Sequence, residues 1–174
     1  MADDELLIVR CQLGERDAFA RLIRAWHTPV WIYVRRMLGP DKADDVSQEV
    51  WLAVLRGLPR LRQPGRFTPW LFTIARRAVT NHLREEYARP EVAFDHEPAE
   101  QDASDVVADR AELEAGLAGL PPREREILIL FHLEDLPLQT CAEICGIPAG
   151  TAKSRLSRAR RMLREEITKG GYLR

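Results

Sequence analysis

The chain has little of what enzymes, secreted proteins and membrane proteins are usually built with. It carries three cysteines in 174 residues. An odd and sparse set builds no disulfide framework, so a reducing cytoplasm is the default. No apolar run approaches the roughly 20 residues that a membrane helix needs, residues 127–131 being the longest of note. The first five residues are acidic and lack the basic-then-apolar order of a signal peptide, so no membrane insertion is expected. There is no glycine-rich phosphate loop, and His27, His82, His96 and His132 are scattered, with no Ser/His/Asp arrangement near them. These absences argue against catalysis and imply no cofactor. No β-strand stands out. Every long periodic segment has the helical period, so the chain is expected to be all-α.

The formal net charge of −1 hides an uneven distribution. Beyond Pro148 stand Lys153, Arg155, Arg158, Arg160, Arg161, Arg164, Lys169 and Arg174 against Glu165 and Glu166. Between Glu91 and Glu114 nine acids face Arg110 alone. A basic face suits nucleic acid, and an acidic connector is repelled by it. Prolines, acids and the loss of any period from Pro90 to about Val107 predict a flexible acidic linker. Two helical domains then follow: 1–90, with all four tryptophans, and 108–174, with 91–107 between them.

In the first domain a helix is predicted over 4–13, with Leu6, Leu7, Val9 and Leu13 near one face and Gly14 ending it. Asp17 is a candidate N-cap for a long helix carrying Phe19, Leu22, Ile23 and Trp26, where Pro29 could kink the chain or start anew. Val30, Tyr33, Val34, Met37 and Leu38 keep the period up to Gly39-Pro40. Asp41 can cap the next helix, whose core positions are Val46, Val50, Trp51, Val54 and Leu55. Asp44, Asp45, Gln48 and Glu49 form its polar face, which by spacing alone is a solvated surface. A basic, proline-bounded loop over 59–66 leads to Thr68-Pro69, an N-cap followed by proline, and to a helix from Trp70 to about Tyr87. Phe67, Trp70 and Phe72 beside Arg66, Arg76, Arg77 and Asn81 suit single-stranded nucleic acid, since bases offer faces to stack on and phosphates to neutralise. The same rings would serve equally as core anchors.

In the second domain a short helix is expected over 109–117. Pro122 starts another, with Arg123-Glu124-Arg125-Glu126 as its polar opening and Ile127, Leu128, Leu130, Phe131 and Leu133 as its buried face. Residues 138–161 then have the outline of a helix-turn-helix. Ala142 must be small where the helices cross. Gly146 sits in the turn, where positive φ is cheapest for glycine. Ala152, Leu156 and Ala159 can face the core, leaving Lys153, Ser154, Ser157, Arg158 and Arg161 together on the other side, able to reach base edges and phosphates. Cys141 and Cys145 with His132 make an incomplete zinc set and are better read as small hydrophobes packing the first helix.

With these motifs together, the sequence resembles a bacterial sigma factor of the extracytoplasmic-function (ECF) type. The carriers are Asp17-Ala18-Phe19 with Leu22; Asp44-Asp45-Val46-Ser47-Gln48-Glu49-Val50-Trp51-Leu52; Phe67-Thr68-Pro69-Trp70-Leu71-Phe72-Thr73-Ile74-Ala75-Arg76-Arg77; Leu120-Pro121-Pro122-Arg123-Glu124-Arg125-Glu126; and Gly150-Thr151-Ala152-Lys153-Ser154-Arg155-Leu156-Ser157-Arg158-Ala159-Arg160. The resemblance implies a dissociable subunit of RNA polymerase, with no enzyme activity of its own, that selects promoters and melts the −10 element. Asp44, Asp45, Gln48 and Glu49 would meet the polymerase clamp coiled coil. The loop from Arg60 to Phe67, with Arg62 and Arg66, would capture a flipped −10 base, Arg76, Arg77 and Asn81 would line the non-template strand, and Trp70 belongs to the same −10-binding set. Lys153, Ser154, Ser157, Arg158 and Arg161 would enter the −35 major groove, with Thr151 and Arg155 at the backbone. The resemblance also implies contact with the polymerase flap, an acidic linker near the RNA exit path, and an anti-sigma factor. Arg77 stands where many members have asparagine, and Ala152 where most have valine.

Two other readings fit parts of the chain. One is a stand-alone helix-turn-helix regulator with a sensing or dimerising bundle. The other is a sensor switched by metal or redox chemistry at Cys141 and Cys145.

Overall fold

The computed structural model describes residues 2–88 and 105–169, which form α-helices and short helical turns with no strand among them. In the first bundle these are α1 (Ala2–Gln12), α2 (Arg16–Leu38), α3 (Pro40–Gly57) and α4 (Phe67–Ala88). In the second they are α5 (Asp105–Ala118), α6 (Pro122–Leu128), α7 (Leu138–Cys145) and α8 (Ala149–Lys169). Two 3-10 turns, Leu58–Arg60 and Pro64–Arg66, shape the basic loop between α3 and α4. A π-helical turn, Ile129–Leu133, extends α6.

Several helix starts differ from the sequence expectation. α2 begins at Arg16 with Glu15 at the N-cap, so Asp17 lies in the first turn and does not cap. α3 begins at Pro40 after Gly39, with Asp41 one position inside. α4 begins at Phe67, ahead of Thr68. The acids one step inside α2 and α3 still gain, because a carboxylate near a helix N-terminus meets the positive end of the macrodipole. Pro29 neither ends nor restarts α2, which runs through it for 23 residues. An interior proline costs about 3 kcal/mol; burial of Val30, Tyr33, Val34 and Met37 in the next two turns offsets it.

α1 buries Ile8 and leaves Leu6, Val9 and Leu13 exposed, so its inward face is not the expected one. Its end is clipped to the basic loop: the Gln12 amide donates to the carbonyls of Leu58 at 3.0 Å and Leu61 at 2.7 Å. Behind it, α2, α3 and α4 enclose Leu22, Tyr33, Val46, Val50, Leu71 and Phe72. Gly57 lets α4 approach: a Cβ there would stand 2.8 Å from the Trp70 ring.

In the second bundle α5 begins at Asp105, four residues earlier than expected, and takes residues 105–107 out of the linker. The rest of the acidic stretch, 89–104, lies outside the described residues. Ile127 through Leu130 are buried, as is Ala142, where α7 crosses α8. Gly146 closes α7 in the left-handed region at φ 65°, and its N–H bonds back to Glu143. The two bundles are not separate bodies in this structure. α4 packs against α7, α2 packs against α5 and α6, and one apolar cluster runs through both.

Candidate nucleic-acid interface

α8 is held by three small or slender buried residues, Ala152, Leu156 and Ala159, which recur at helical spacing. Met162 and Leu163 pack partly beside that stripe, and much of the remaining surface faces outward. Thr151, Lys153, Ser154, Ser157, Arg158 and Arg161 are exposed, and Arg155 is half-buried at the edge. The structure therefore brings together the whole set that the sequence assigned to the second helix. Arg158 is held at one end by an ion pair with Glu124, while Arg161 leans toward Glu165 at 3.8 Å. Ser154 Oγ donates to the Thr151 carbonyl at 3.0 Å. The Lys153 ammonium makes no hydrogen bond or ion pair among the described residues.

α4 and the basic loop before it present a different arrangement. Arg62, Arg77 and Asn81 are exposed, Trp70 and Arg76 are half-buried, and Arg66 is exposed but engaged. Phe67 requires a correction. Its ring is 3 % exposed, edge-on to Trp26 at 5.7 Å and tilted against Trp70 at 5.9 Å, so it is a core anchor with no face open to a base. Phe72 is likewise a core ring, edge-on to Tyr33 at 5.6 Å. The two basic side chains nearest the second bundle are both claimed by it. Arg66 donates to Glu143 of α7 at 2.7 Å, and Arg76 donates to Glu126 of α6 at 3.1 Å.

Glu126 is the residue the sequence did not flag. It was grouped with a polar helix opening, yet it is 4 % exposed, as is Glu124. Its carboxylate accepts from the Tyr33 hydroxyl at 2.9 Å and from Arg76, with the Cys145 thiol at 3.6 Å. Burial would lower the Arg76 pKa, but the charge and hydrogen bond of Glu126 outweigh it and hold the guanidinium above its ordinary value. Burial, then the Glu126 charge, pushes the Tyr33 phenol far up, so it stays a donor. The available signal was position: Glu126 lies four residues before the buried Leu130, on the same side of the helix.

On α3, Asp44, Asp45, Gln48 and Glu49 are all exposed, with Leu52 and Leu55 exposed beside them. Asp44 accepts from the Trp31 indole at 2.7 Å, and Glu49 lies 3.1 Å from His82 of α4. Leu55, expected in the core, is half exposed.

Cys141 and Cys145 are buried and unpaired. Burial pushes their thiols up to about 11 and about 12. A thiol that keeps its proton near neutral pH is a poor nucleophile and a poor metal ligand, which favours the packing role. Among the described residues no group of three or more His, Cys, Asp or Glu side chains could hold a metal ion.

This arrangement, a bundle with an acidic helix face joined to a helix-turn-helix with a basic one, has clear relatives. The Sigma-70 region 2 family matches residues 22–89, and the Sigma-70, region 4 family matches residues 110–163. The ECF RNA polymerase sigma factor SigC of Mycobacterium tuberculosis is 32% identical over 166 residues, covering 91% of this chain and 90% of the relative. The RNA polymerase sigma factor CarQ of Myxococcus xanthus is 35% identical over 159 residues, covering 87% and 90%. Among solved structures, CnrH in complex with the cytosolic domain of CnrY superposes with a TM-score of 0.74 at 22% identity, covering 95% of this chain and 97% of that one. The sigma factor RpoE in complex with the anti-sigma factor NepR from Bartonella quintana gives 0.71 at 23%, covering 86% and 96%. The chain belongs to the ECF RNA polymerase sigma factors of the sigma-70 family, which direct the polymerase to specific promoters.

Proposed function

We propose that the chain joins core RNA polymerase as a dissociable subunit, grips a promoter at two places and helps to open the duplex at the −10 element. It performs no chemistry of its own. Residues 1–90 hold the polymerase and the −10 element, the second bundle from α5 onward holds the −35 element, and the acidic stretch between them connects the two. The observation that carries the proposal is the α8 face: a continuous set of exposed basic and hydroxyl side chains on a helix pinned by Ala152, Leu156 and Ala159. Lys153, Ser154, Ser157, Arg158 and Arg161 supply base and phosphate contacts in the −35 major groove, and Thr151 and Arg155 supply backbone contacts.

On α3, Asp44, Asp45, Gln48 and Glu49 meet the clamp coiled coil. Exposed Leu52 and Leu55 support this, because acids around an apolar centre suit a protein partner better than solvent. The second bundle meets the polymerase flap. Arg62, Arg66, Trp70, Arg76, Arg77 and Asn81 follow the non-template strand of the opened −10 element, with buried Phe67 bracing Trp70 from beneath. An anti-sigma factor that covers these faces would silence the chain. RpoE, a protein of the same fold, is known in complex with the anti-sigma factor NepR, which supports this part. No helix among the described residues is long and apolar enough to cross a membrane, and the site of action proposed is the cytoplasm, where the polymerase works.

Run-off transcription with core polymerase on genomic fragments, followed by sequencing of the transcripts, tests the proposal. Promoter-specific transcripts that require both the chain and the polymerase are expected. Their absence on every template would sink it. Tight operator binding without polymerase would point instead to a stand-alone regulator.

A further inference from the structure

Two cations of α8 are left over by the −35 face. Arg160 and Arg164 stand one turn apart, and both are exposed. Neither pairs with an acid among the described residues. Arg160 is held in place all the same. Its Nε donates to His132 Nε2 at 2.9 Å, and its guanidinium lies 5.4 Å from the centre of the Phe131 ring. Burial, then the Arg160 charge, lowers the His132 pKa, so the ring stays neutral and accepts that bond. One nitrogen of Arg160 is thus spent on orienting the group, and the two terminal nitrogens are left to meet an anion. Beside the two arginines lies a cavity of about 390 Å³ between α5, the end of α6 and α8. Its wall is made by Leu113 and Leu117 of α5, Leu128 of α6, Leu133 of the π-helical turn and Leu163 of α8, with almost no polar atoms between them. His132, Arg160 and Arg164 complete the lining.

We propose that this cavity binds an amphiphilic carboxylate, a free fatty acid of medium chain length, with its tail among the leucines and its head on Arg160 and Arg164. Three observations select this chemistry. The leucine wall rejects sugars, nucleotides and metal ions, whose polar groups would go unpaired there. Two guanidiniums without acids at one rim call for an anion, and a guanidinium meets a carboxylate in a two-point fork. The volume of about 390 Å³ lies near the lower end of the range for small-molecule sites, roughly 300–1,000 Å³. An α-helix, about 10–12 Å across with its side chains, could send only single side chains into such a slot. The site uses none of the residues assigned to promoter DNA or to the clamp, so it stands or falls apart from those assignments. A ligand seated there touches α5, α6 and α8 at once and stabilises the second bundle by mass action.

Isothermal titration calorimetry of the full chain with decanoate, kept below its micelle concentration, tests the site. Decyltrimethylammonium, which carries the same tail on a cationic head, is the counter-probe. Wild type should bind a single decanoate per chain and no decyltrimethylammonium. Arg160→Gln/Arg164→Gln, both exposed, should bind decanoate roughly 10- to 150-fold more weakly. Leu113→Trp fills the slot with both arginines in place and should weaken binding as well; if it fails to fold, the arginine pair carries the test. Lys153→Gln/Arg161→Gln makes the same charge change on the outward face and should stay within about twofold of wild type. Decanoate should also slow hydrogen exchange in α5 and α8 of wild type while leaving α1 unchanged. No binding of decanoate, equal binding of the cationic amphiphile, or an equal loss in the control pair overturns the proposal. So does capture of an acidic, leucine-bearing helical peptide on this face by a chain that takes no decanoate, which would make the face a protein-docking site.

Discussion

α4 and α8 are both long basic helices, and both are assigned to DNA, yet they are built in opposite ways. α4 buries Phe67, Leu71, Phe72, Ala75 and Val79 and is packed on two sides, against its own bundle and against α7. α8 buries three residues, two of them alanine, and half-buries Arg155, Met162, Leu163, Glu166 and Ile167 beside them. Arg76 of α4 and Arg66 just before it pair with acids of the second bundle, whereas on α8 Arg158 pairs with Glu124 of its own bundle and Lys153 is exposed. A helix that must melt and hold single strands needs rings and a rigid base, which α4 has at the cost of openness. A helix that enters a preformed groove needs only a firm seat and a clean face. The difference teaches that α8 is seated by a narrow apolar stripe, whereas α4 is locked into the packing of both bundles.

The largest effect expected from this comparison is on stability. Phe72→Ala removes a fully buried ring that Tyr33 packs against edge-on. It should cost about 3–5 kcal/mol, read from urea unfolding. A loss below about 1 kcal/mol would mean that α4 is not the seat of the first bundle, and the contrast with α8 would fail. Next comes the open face. Lys153→Ala should weaken −35 duplex binding by about 1–3 kcal/mol if it reaches a base, and lower the slope of log affinity against log salt by about one if it reaches a phosphate. Folding stability should stay within about 0.5 kcal/mol of wild type, because the side chain is exposed. A binding loss matched by an equal folding loss would show that the face is structural.

A third test addresses the turn that aims α8. Gly146 has φ 65° with nothing within 4 Å of an added Cβ, so the strain of Gly146→Ala is conformational and not steric. It should destabilise the second bundle by about 1–2 kcal/mol. If hydrogen exchange instead found the loss spread through α4, the two bundles would fold as one unit.

Much of this was legible in the sequence, for physical reasons that also mark where legibility ended. Helical periods located the long helices of the first bundle, because burial of one face repeats every three or four residues, and the helix-turn-helix outline located α7 and α8. The spacing of Ala142, Gly146 and Ala152 located the helix crossing and the turn, since close approach and positive φ each demand particular residue types. The N-caps were misplaced at Asp17, Asp41 and Thr68, where helix starts shifted by one or two residues and the polar side chains served inside the first turn. The site was legible as charge on surfaces: the α3 acids and the α8 set are exposed as read. Rings gave less, because Phe67 as core anchor and Phe67 as stacking platform have the same sequence. Glu126 was legible only as a position on the buried side of its helix, not as a partner across the bundles. Its principal partner, Tyr33, is 93 residues away, and no local pattern encodes a contact between bundles.

A further test concerns pH. Glu134, at the end of the turn that follows α6, is partly buried, and burial raises its carboxyl to about 7 in spite of the nearby Arg36 charge. The unfolded chain releases that proton near 4.5. Between these values the folded state holds more protons, so the stability contributed by this group is fully present below about 4.5 and is lost as pH rises to about 7. Glu134→Gln fixes the neutral form. The difference in unfolding free energy between Glu134→Gln and wild type should therefore grow from pH 4.5 to pH 7 and level off above it, in favour of the variant. Because Arg36 belongs to α2, the same substitution removes an attraction between the bundles, and high salt should weaken that attraction in wild type alone. A difference curve flat across this window would mean that Glu134 is hydrated in solution, and that the bundles touch less closely at this edge than at Glu126.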